Sequence, residues 1–225
     1  MNKPTSESVF TQEISYPIFT DPEHFLKLRK GNWPFSLLKA RSERKAIKKC
    51  LGELNSIKSI CDTPCGPGRL FEYWKDCGYE TYAVELSKDF IPAAKREHQD
   101  QNLKGEVIHG DAFKLPEVLP HKVDCVVSVR FLYYFDKNER MQLLKKLAEA
   151  SNKYVLVQYK SLETRKGKKK YQESLKKERR GKHFMSHAEM REEVEAAGLR
   201  CLKVVPISNA SDRVFVICSV CESPC

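Results

Sequence analysis

Hydrophobic runs and helix-periodic segments alternate along most of this chain. The runs 123–129 and 154–159 are almost continuously apolar, which is typical of strands buried on both faces of a sheet. Segment 137–150 instead repeats its apolar residues every three or four positions, which predicts an amphipathic helix. The whole pattern predicts helices at 34–56, 69–77, 89–99, 137–150 and 187–197, and strands at 59–62, 81–84, 105–109, 123–129, 154–159, 201–207 and 213–220.

The order of these elements predicts an α/β fold. Strands and helices alternate until residue 197, and the two last strands are joined by the turn-forming residues 208–212. We therefore expect a doubly wound, Rossmann-like, mostly parallel seven-stranded sheet with an antiparallel C-terminal hairpin strand. N-terminal helices precede it, one of them beginning at Asp21-Pro22. Ligands of such sheets bind outside the carboxyl ends of the strands, where the strand order reverses.

A glycine-rich turn separates the first predicted strand from the helix that follows it. From Asp62 to Gly68 the sequence is Asp-Thr-Pro-Cys-Gly-Pro-Gly, and a strand, glycine turn and helix in this order present backbone N–H groups to a nucleotide-like ligand. Glu85, nineteen residues after Gly66, ends the next predicted strand and is placed to accept hydrogen bonds from ribose hydroxyls. Phe71 stands where a dinucleotide fingerprint has its third glycine, and the P-loop pattern is absent, so neither a dinucleotide nor a polyphosphate is favoured.

Four motifs in this order resemble those of the class I S-adenosylmethionine-dependent methyltransferases. Residues 62–68 resemble the glycine-rich first motif of that family, and residues 83–87 resemble the second. Residues 110–113 resemble the third motif and 124–134 the fourth, while 184–199 resemble the late helix before the closing hairpin. The resemblance covers about residues 40–220. It implies an enzyme that transfers a methyl group, with S-adenosylmethionine (SAM) as cofactor and S-adenosylhomocysteine (SAH) as product.

The resemblance also implies which residues hold the cofactor. Backbone groups of the glycine turn would approach its methionine part, Glu85 its ribose and Asp111 its adenine amino group. The expected cofactor-binding residues are Asp62, Pro64, Cys65, Gly66, Gly68, Glu85, Leu86, Asp111, Ala112, Phe113, Ser128 and Val129. Arg41 would hold the cofactor's carboxylate. Residues 1–40, with Tyr16 and Trp33, would form a helical lid ahead of the methyltransferase domain at 41–225.

The segment after the fourth strand motif is expected to shape the acceptor pocket. Arg130, Phe131 and Tyr133 are the candidate substrate-binding residues, and Tyr133 or Tyr134 would position an acceptor hydroxyl. Two alternatives stay open, namely packing of this segment on the core and an internal ion pair of Arg130. His183, or else His187, would act as a base. The expected acceptor is a small molecule, anionic or aromatic, methylated at oxygen, nitrogen or carbon by in-line displacement.

The positive charge of the chain is concentrated in one segment. The formal net charge is +10, and residues 160–182 hold eleven Lys and Arg against three Glu. We interpret this basic insertion first as a solvated loop or helix, next as a clamp over an anionic substrate, and third as a nucleic-acid contact. Two alternative functions remain, an RNA or protein methyltransferase docking through this segment and a non-catalytic cofactor-binding interaction module.

Cysteine usage and the N-terminal sequence indicate a cytoplasmic protein. Nine cysteines are spread along the chain, which is typical of reduced thiols. The first residues lack the apolar segment of a secretory leader, and no apolar run has the length of a membrane span. Cys218 and Cys221 form a lone C-x-x-C pair, so no metal site is expected.

Overall fold

The structure is a computed structural model that describes residues 34–176, 183–208 and 210–221. The helix expected from Asp21, the residues Tyr16 and Trp33, and most of the predicted lid lie outside these described residues. Part of the basic insertion, residues 177–182, also lies outside them.

One mixed sheet organises the described chain. Its strands are β1 (Ser59–Asp62), β2 (Glu80–Glu85), β3 (Val107–His109), β4 (Val123–Ser128), β5 (Ser151–Ser161), β6 (Phe184–Met185), β7 (Leu199–Pro206) and β8 (Arg213–Val220). They lie in the order β3-β2-β1-β4-β5-β8-β7, and the short β6 pairs with β5 outside this row. The pairs formed among β1 to β6 are parallel, whereas β8 runs antiparallel to β5 and β7. The expected doubly wound fold is confirmed. The hydrophobic pattern did not indicate β6, because two residues are too few to show a period.

The helices of the described chain are α1 (Pro34–Gly52), α2 (Phe71–Cys77), α3 (Ile91–Asp100), α4 (Leu115–Val118), α5 (Lys137–Glu149), α6 (Arg165–Lys176) and α7 (His187–Ala196). Reciprocal capping fixes where two of them begin. Asp136 and Glu139 form a capping box at the start of α5, and Ser186 and Glu189 form another at the start of α7. Both helices therefore begin where the sequence predicts.

Most predicted elements differ from the structure by one or two residues at an end, and three of them differ in ways that have a structural cause or a larger extent. The first helix ends at Gly52 rather than at 56, and the helix after the glycine turn begins at Phe71 rather than at 69. Strand β5 covers Ser151–Ser161 rather than 154–159, because its ladders with β4, β6 and β8 extend it beyond the apolar run.

Helices cover both faces of the sheet and explain the continuous apolar runs in its central strands. On one face, side chains of α5 and α7 belong to the same buried cluster as Val126 and Val155. On the other face, side chains of α1 and α2 belong to a second cluster with Val127 and Leu156. Successive residues of β4 and β5 thus enter opposite clusters, so neither face of these strands meets water.

The strand order reverses between β1 and β4. From β1 the chain continues to β2 and β3 on one side, and from β4 it continues to β5 on the other. The carboxyl ends of these strands are Asp62, Glu85 and Ser128, which are all residues predicted to bind the cofactor. The reversal places a crevice at this edge of the sheet.

A bilayer-spanning helix is not found among the described residues, since none of their helices combines the required length with the required apolar character.

Candidate functional site

The glycine turn is held against the end of β2 by its backbone. Gly66 and Gly68 have positive φ angles of 57° and 86°, which residues with a side chain rarely adopt. The N–H of Cys65 donates to the carbonyl of Val84 at 3.0 Å, and the N–H of Gly66 donates to the Glu85 carboxylate at 2.8 Å. The turn therefore has a fixed shape in which two glycines are required.

Glu85 is buried and holds the glycine turn through its carboxylate. One oxygen accepts the N–H of Gly66, and the other accepts the N–H of Ser87 at 2.9 Å. Burial raises the pKa of Glu85, while the hydrogen bonds from Ser87 and Gly66 act in the opposite direction. A carboxylate offers about four lone-pair sites, and the backbone of Gly66, Leu86 and Ser87 does not use all of them, so Glu85 can still accept from a hydroxyl of a ligand.

Asp62, at the end of β1, is tied to the core of the protein. Its carboxylate accepts the indole N–H of Trp74 at 2.9 Å, and both side chains are buried. Burial raises the pKa of Asp62 to about 7, although the hydrogen bond from Trp74 acts to lower it. The carboxyl group therefore titrates near neutral pH, beside the glycine turn.

Asp111 begins a short 3₁₀ helix after β3, over Ala112–Lys114. Its side chain accepts the N–H of Phe113 at 2.9 Å, which caps that helix. The ring of Phe113 meets the ring of Phe135 edge to face, with 5.2 Å between the centroids. Leu86 is exposed directly after the end of β2. Asp111, Phe113 and Leu86 thus lie at the β2–β3 half of the crevice, where the adenosine end of the cofactor is expected.

Two buried hydroxyls at the centre of the crevice lack a hydrogen-bond partner among the described residues. They belong to Thr63, which follows β1, and to Ser128, which ends β4. The backbone N–H of Thr63 donates to the carbonyl of Val127 at 2.9 Å, so the two strand ends are adjacent. Buried hydroxyls normally have partners. A polar ligand in the crevice is the kind of group that satisfies them, and this fits the amino-acid end of the expected cofactor.

Arg130 adopts a left-handed backbone with φ of 63° directly after Val129. Its guanidinium forms two hydrogen bonds with the carboxylate of Glu43, at 3.1 Å from Nε and 2.8 Å from Nη2. The internal ion pair, one of the two alternatives for this residue, is therefore present. A role of Arg130 in substrate binding stays a prediction.

Glu43 is the centre of a network that joins five parts of the fold. Besides Arg130, its carboxylate accepts from Arg69 at 2.7 Å, from Gln158 at 3.0 Å and from Arg213 at 3.0 Å. The Glu43 side chain is fully buried. Burial acts to raise the pKa of Glu43, but Arg69, Arg213 and the hydrogen bond from Gln158 outweigh it, so the pKa is lowered. Glu43 is an ionised carboxylate held by three guanidinium groups.

Reasoning from the sequence missed Glu43. It stands in a helix with charged residues on several sides, and Arg41, the residue predicted to hold the cofactor's carboxylate, is exposed two positions before it. The available signal was a charged residue at a position where the helical period of α1 calls for an apolar core residue. The mixed apolar and charged pattern of α1 obscured that signal.

The three residues predicted to act in catalysis lie together. The carbonyl of Tyr133 accepts the backbone N–H of His183 at 3.0 Å, and the rings of Tyr133 and Tyr134 are 4.9 Å apart. Tyr133 is buried, whereas Tyr134 is 47% exposed. Burial, followed by Arg140, lowers the pKa of His183, so the imidazole is neutral at pH 7 and can accept a proton.

Phe131 and His187, which are also predicted to lie near the acceptor pocket, both contact neighbouring side chains. The ring of Phe131 packs on the ring of Phe135 at 4.7 Å between centroids. The two ring nitrogens of His187 lie 3.1 Å from the Ser161 hydroxyl and 2.7 Å from the Glu163 carboxylate. Both ring nitrogens of His187 are therefore engaged by side chains of the described chain.

The helix α6 forms the middle of the basic insertion and is anchored to the end of β5. The N–H of Gly167 donates to the Thr164 hydroxyl at 3.0 Å, and a Cβ at Gly167 would lie 1.7 Å from the Ser161 carbonyl oxygen. Lys170 forms an ion pair with Asp212, which also pairs with the buried Lys160. Exposed cations of α6 are Arg165, Lys168 and Lys169. The helix alternative for this segment is therefore present over Arg165–Lys176.

Comparison with known proteins agrees with this geometry. Residues 60–153 match the family model described as a methyltransferase domain. The curated proteins contain no match to the sequence.

Solved structures share the fold across almost the whole chain. Magnesium protoporphyrin IX methyltransferase from Synechocystis PCC 6803, solved with bound SAH, has a TM-score of 0.68 at 14% identity and covers 91% of this chain and 97% of its own. An S-adenosylmethionine-dependent methyltransferase from Clostridium acetobutylicum ATCC 824 has a TM-score of 0.63 at 15% identity, with 80% of this chain and 91% of its own covered. An O-methyltransferase from neocarzinostatin biosynthesis, in complex with SAH and 1,4-dihydroxy-2-naphthoic acid, has a TM-score of 0.66 at 20% identity. The match covers 91% of this chain and 60% of that enzyme. The resemblance to class I methyltransferases is confirmed by the family model and by the fold, and the ligands of these structures agree with the expected cofactor.

Proposed function

We propose that this chain is a SAM-dependent methyltransferase that transfers a methyl group to a small-molecule acceptor by in-line displacement. The observation that carries the proposal is the alignment of the glycine turn, Glu85 and Asp111 along the carboxyl ends of three adjacent strands. All of them lie within the residues that match a methyltransferase domain.

The residues of the crevice suit the successive parts of the cofactor. Glu85 has lone pairs free of the backbone for the ribose hydroxyls. Asp111 and Phe113 would meet the adenine, and the unpartnered hydroxyls of Thr63 and Ser128 would meet the amino-acid end. When bound, the cofactor supplies a methyl group on a positively charged sulfur, which needs no covalent enzyme intermediate. The work of the chain is then to bind, orient and exclude water.

His183, whose backbone N–H donates to the carbonyl of Tyr133, is the residue to which we assign the proton-accepting role. His183 is neutral at pH 7 because burial and Arg140 lower its pKa. It would accept the proton of an acceptor hydroxyl, while Tyr133 and Tyr134 would orient that hydroxyl. Arg130 and Phe131 would form the wall of the pocket nearest to β4.

Two proteins that share this fold support the choice of a small acceptor with a hydroxyl group. One is the mitomycin 7-O-methyltransferase, at 20% identity and a TM-score of 0.68, and the other is the enzyme crystallised with 1,4-dihydroxy-2-naphthoic acid. Docking of RNA or protein through the basic insertion, and binding of the cofactor without catalysis, are the alternative functions.

The test is a methyl-transfer assay of the whole chain with SAM and a panel of small hydroxylated and amino-bearing metabolites, read as SAH formed. We expect turnover with a subset of small acceptors and a loss of about 10²–10⁴-fold in kcat for His183→Asn, since proton transfer by a positioned base contributes that much. His187→Asn is the matched control and should keep most of its turnover. SAH formation with RNA or protein and with none of the small molecules would contradict the proposed acceptor class.

A further inference from the structure

Positive charge exceeds negative charge around Glu43. Arg69, Arg130 and Arg213, here called the arginine cluster, all donate to the one carboxylate of Glu43. Arginine stays protonated in proteins. Within the described chain, one carboxylate for three guanidinium groups leaves a surplus of two positive charges in a largely buried place.

Two other carboxylates of the described residues, Asp62 and Asp212, do little to cancel this surplus. Asp62 acts on Arg69, but burial raises its pKa to about 7, so it carries only part of a charge at neutral pH. Asp212 directly precedes Arg213 and already holds both Lys160 and Lys170. Uncompensated charge in a buried site is unfavourable unless an anion joins it.

The arginine cluster lies on the acceptor half of the crevice. Arg69 follows the glycine turn, Arg130 follows β4, and Arg213 begins β8 opposite Lys160 of β5. Glu85 and Asp111, in contrast, lie at the β2 and β3 ends of the sheet. The cluster thus extends from the centre of the crevice away from the adenosine side.

In the contacts among the described residues, the guanidinium groups keep donors for a second acceptor. The arginine side chains are 12%, 17% and 16% exposed for Arg69, Arg130 and Arg213, whereas Glu43 has no exposure. Arg69 and Arg213 each use one nitrogen on Glu43. The remaining N–H groups form planar forks that match the geometry of an oxyanion.

We propose that the arginine cluster is an oxyanion subsite that binds a phosphate group of the acceptor. This deepens the proposed function and rests on it. A phosphate group carries about −1.5 to −2 charges at pH 7, which matches the surplus of two. A carboxylate would cancel only one of these charges. Glu43 holds the three guanidinium groups in place for the anion, so it is a positioning residue.

The test uses calorimetric titration of the whole chain with inorganic phosphate, in the absence of SAH and at saturating SAH. We expect phosphate to bind in both conditions with affinities within about twofold, and acetate to bind at least about tenfold more weakly. Arg213→Met should weaken phosphate binding at least about tenfold and leave SAH binding within about twofold, because Arg213 lies on β8, away from the cofactor half. Arg213→Lys keeps the positive charge and should recover part of the phosphate affinity. It therefore also shows whether the loss in Arg213→Met comes from a folding defect. Arg200→Met, which removes an exposed cation of β7, is the matched control.

Each contrary result has a distinct meaning. Phosphate binding that Arg213→Met leaves unchanged would overturn the subsite. Displacement of phosphate by SAH would overturn its assignment to the acceptor, because the cluster would then hold the cofactor's carboxylate. Equal affinity for acetate would overturn the choice of phosphate. A chain that binds SAH and no phosphate refutes this inference alone, whereas a chain that binds no SAH refutes the proposed function.

Discussion

Replacing Glu43 by glutamine tests the network that holds the crevice together. In the native protein the carboxylate accepts five hydrogen bonds, from Arg69, Gln158 and Arg213 once each and from Arg130 twice. The glutamine would keep one carbonyl oxygen, but its amide nitrogen would face N–H groups of Arg69 and Arg130, which donate to Oε2 of Glu43. The substitution therefore removes two charge-assisted hydrogen bonds and leaves three guanidinium groups without the carboxylate that they share.

The magnitude follows from these contacts. Hydrogen bonds to charged groups contribute about 1.5–3 kcal/mol each, and removing one partner of a buried ion pair costs about 3–5 kcal/mol. We expect the free energy of unfolding of Glu43→Gln to fall by about 3–5 kcal/mol. For a chain of this size each 1 kcal/mol corresponds to about 2–4 °C in Tm, so Tm should fall by roughly 6–20 °C.

The loss should also depend on pH. The pKa of Glu43 in the folded protein lies below its ordinary value of 4.5. Its contribution to stability is therefore fully present above pH 4.5 and is lost as the pH falls through the folded pKa. The difference in unfolding free energy between wild type and Glu43→Gln should be largest near neutral pH and should shrink in acid.

The assay is urea denaturation followed by circular dichroism at several pH values. Glu53→Gln is the matched control, because Glu53 pairs with Lys203 on the surface, where the two side chains are 37% and 48% exposed. Such a pair contributes about 0–1 kcal/mol. Equal, small losses in both variants, or a Glu43→Gln loss that stays constant into acid, would refute the reasoning.

Two further predictions concern other parts of the crevice. Since the pKa of Asp62 is about 7 and its carboxylate accepts the indole N–H of Trp74, the fluorescence of Trp74 should change with a midpoint near pH 7. The transition should be absent in Asp62→Asn, and a transition that persists there would assign it to another group. Gly167→Ala should loosen α6, because its new Cβ would overlap a carbonyl oxygen of β5, and we expect faster proteolysis within α6 at a stability cost of about 1–3 kcal/mol. Gly52→Ala, which meets nothing within 4 Å, is the control, and equal proteolysis of the two variants would contradict the role of Gly167.

Local patterns in the sequence predicted the fold and the strand ends and turn that carry the candidate cofactor-binding residues. Alternating strands and helices follow from hydrophobic periodicity, and the glycine turn and Glu85 are recognisable because their residues are close in the sequence. The network around Glu43 is different. Its contacts with Arg130 and Arg213 span 87 and 170 positions, so only the assembled sheet brings them together. For the same reason the sequence left the ion pair of Arg130 as one of two alternatives.

The sequence pattern misplaced the ends of strands where pairing with neighbouring strands sets those ends. Strand β5 gains residues at both ends because β4, β6 and β8 pair with it, although those residues are not continuously apolar. Strand β6 exists only through its ladder with Lys160 and Ser161. No period within two residues could have indicated it.

The most direct test of the central claim is a calorimetric titration of the whole chain with SAH. We predict one SAH per chain, and binding weakened about 10- to 150-fold in Glu85→Gln, because a hydrogen bond to a charged carboxylate contributes about 1.5–3 kcal/mol. Equal Tm values would show that the weaker binding is not a loss of fold. No binding by the wild-type chain, or equal affinity in Glu85→Gln, would contradict the assignment of this crevice to the methyl donor.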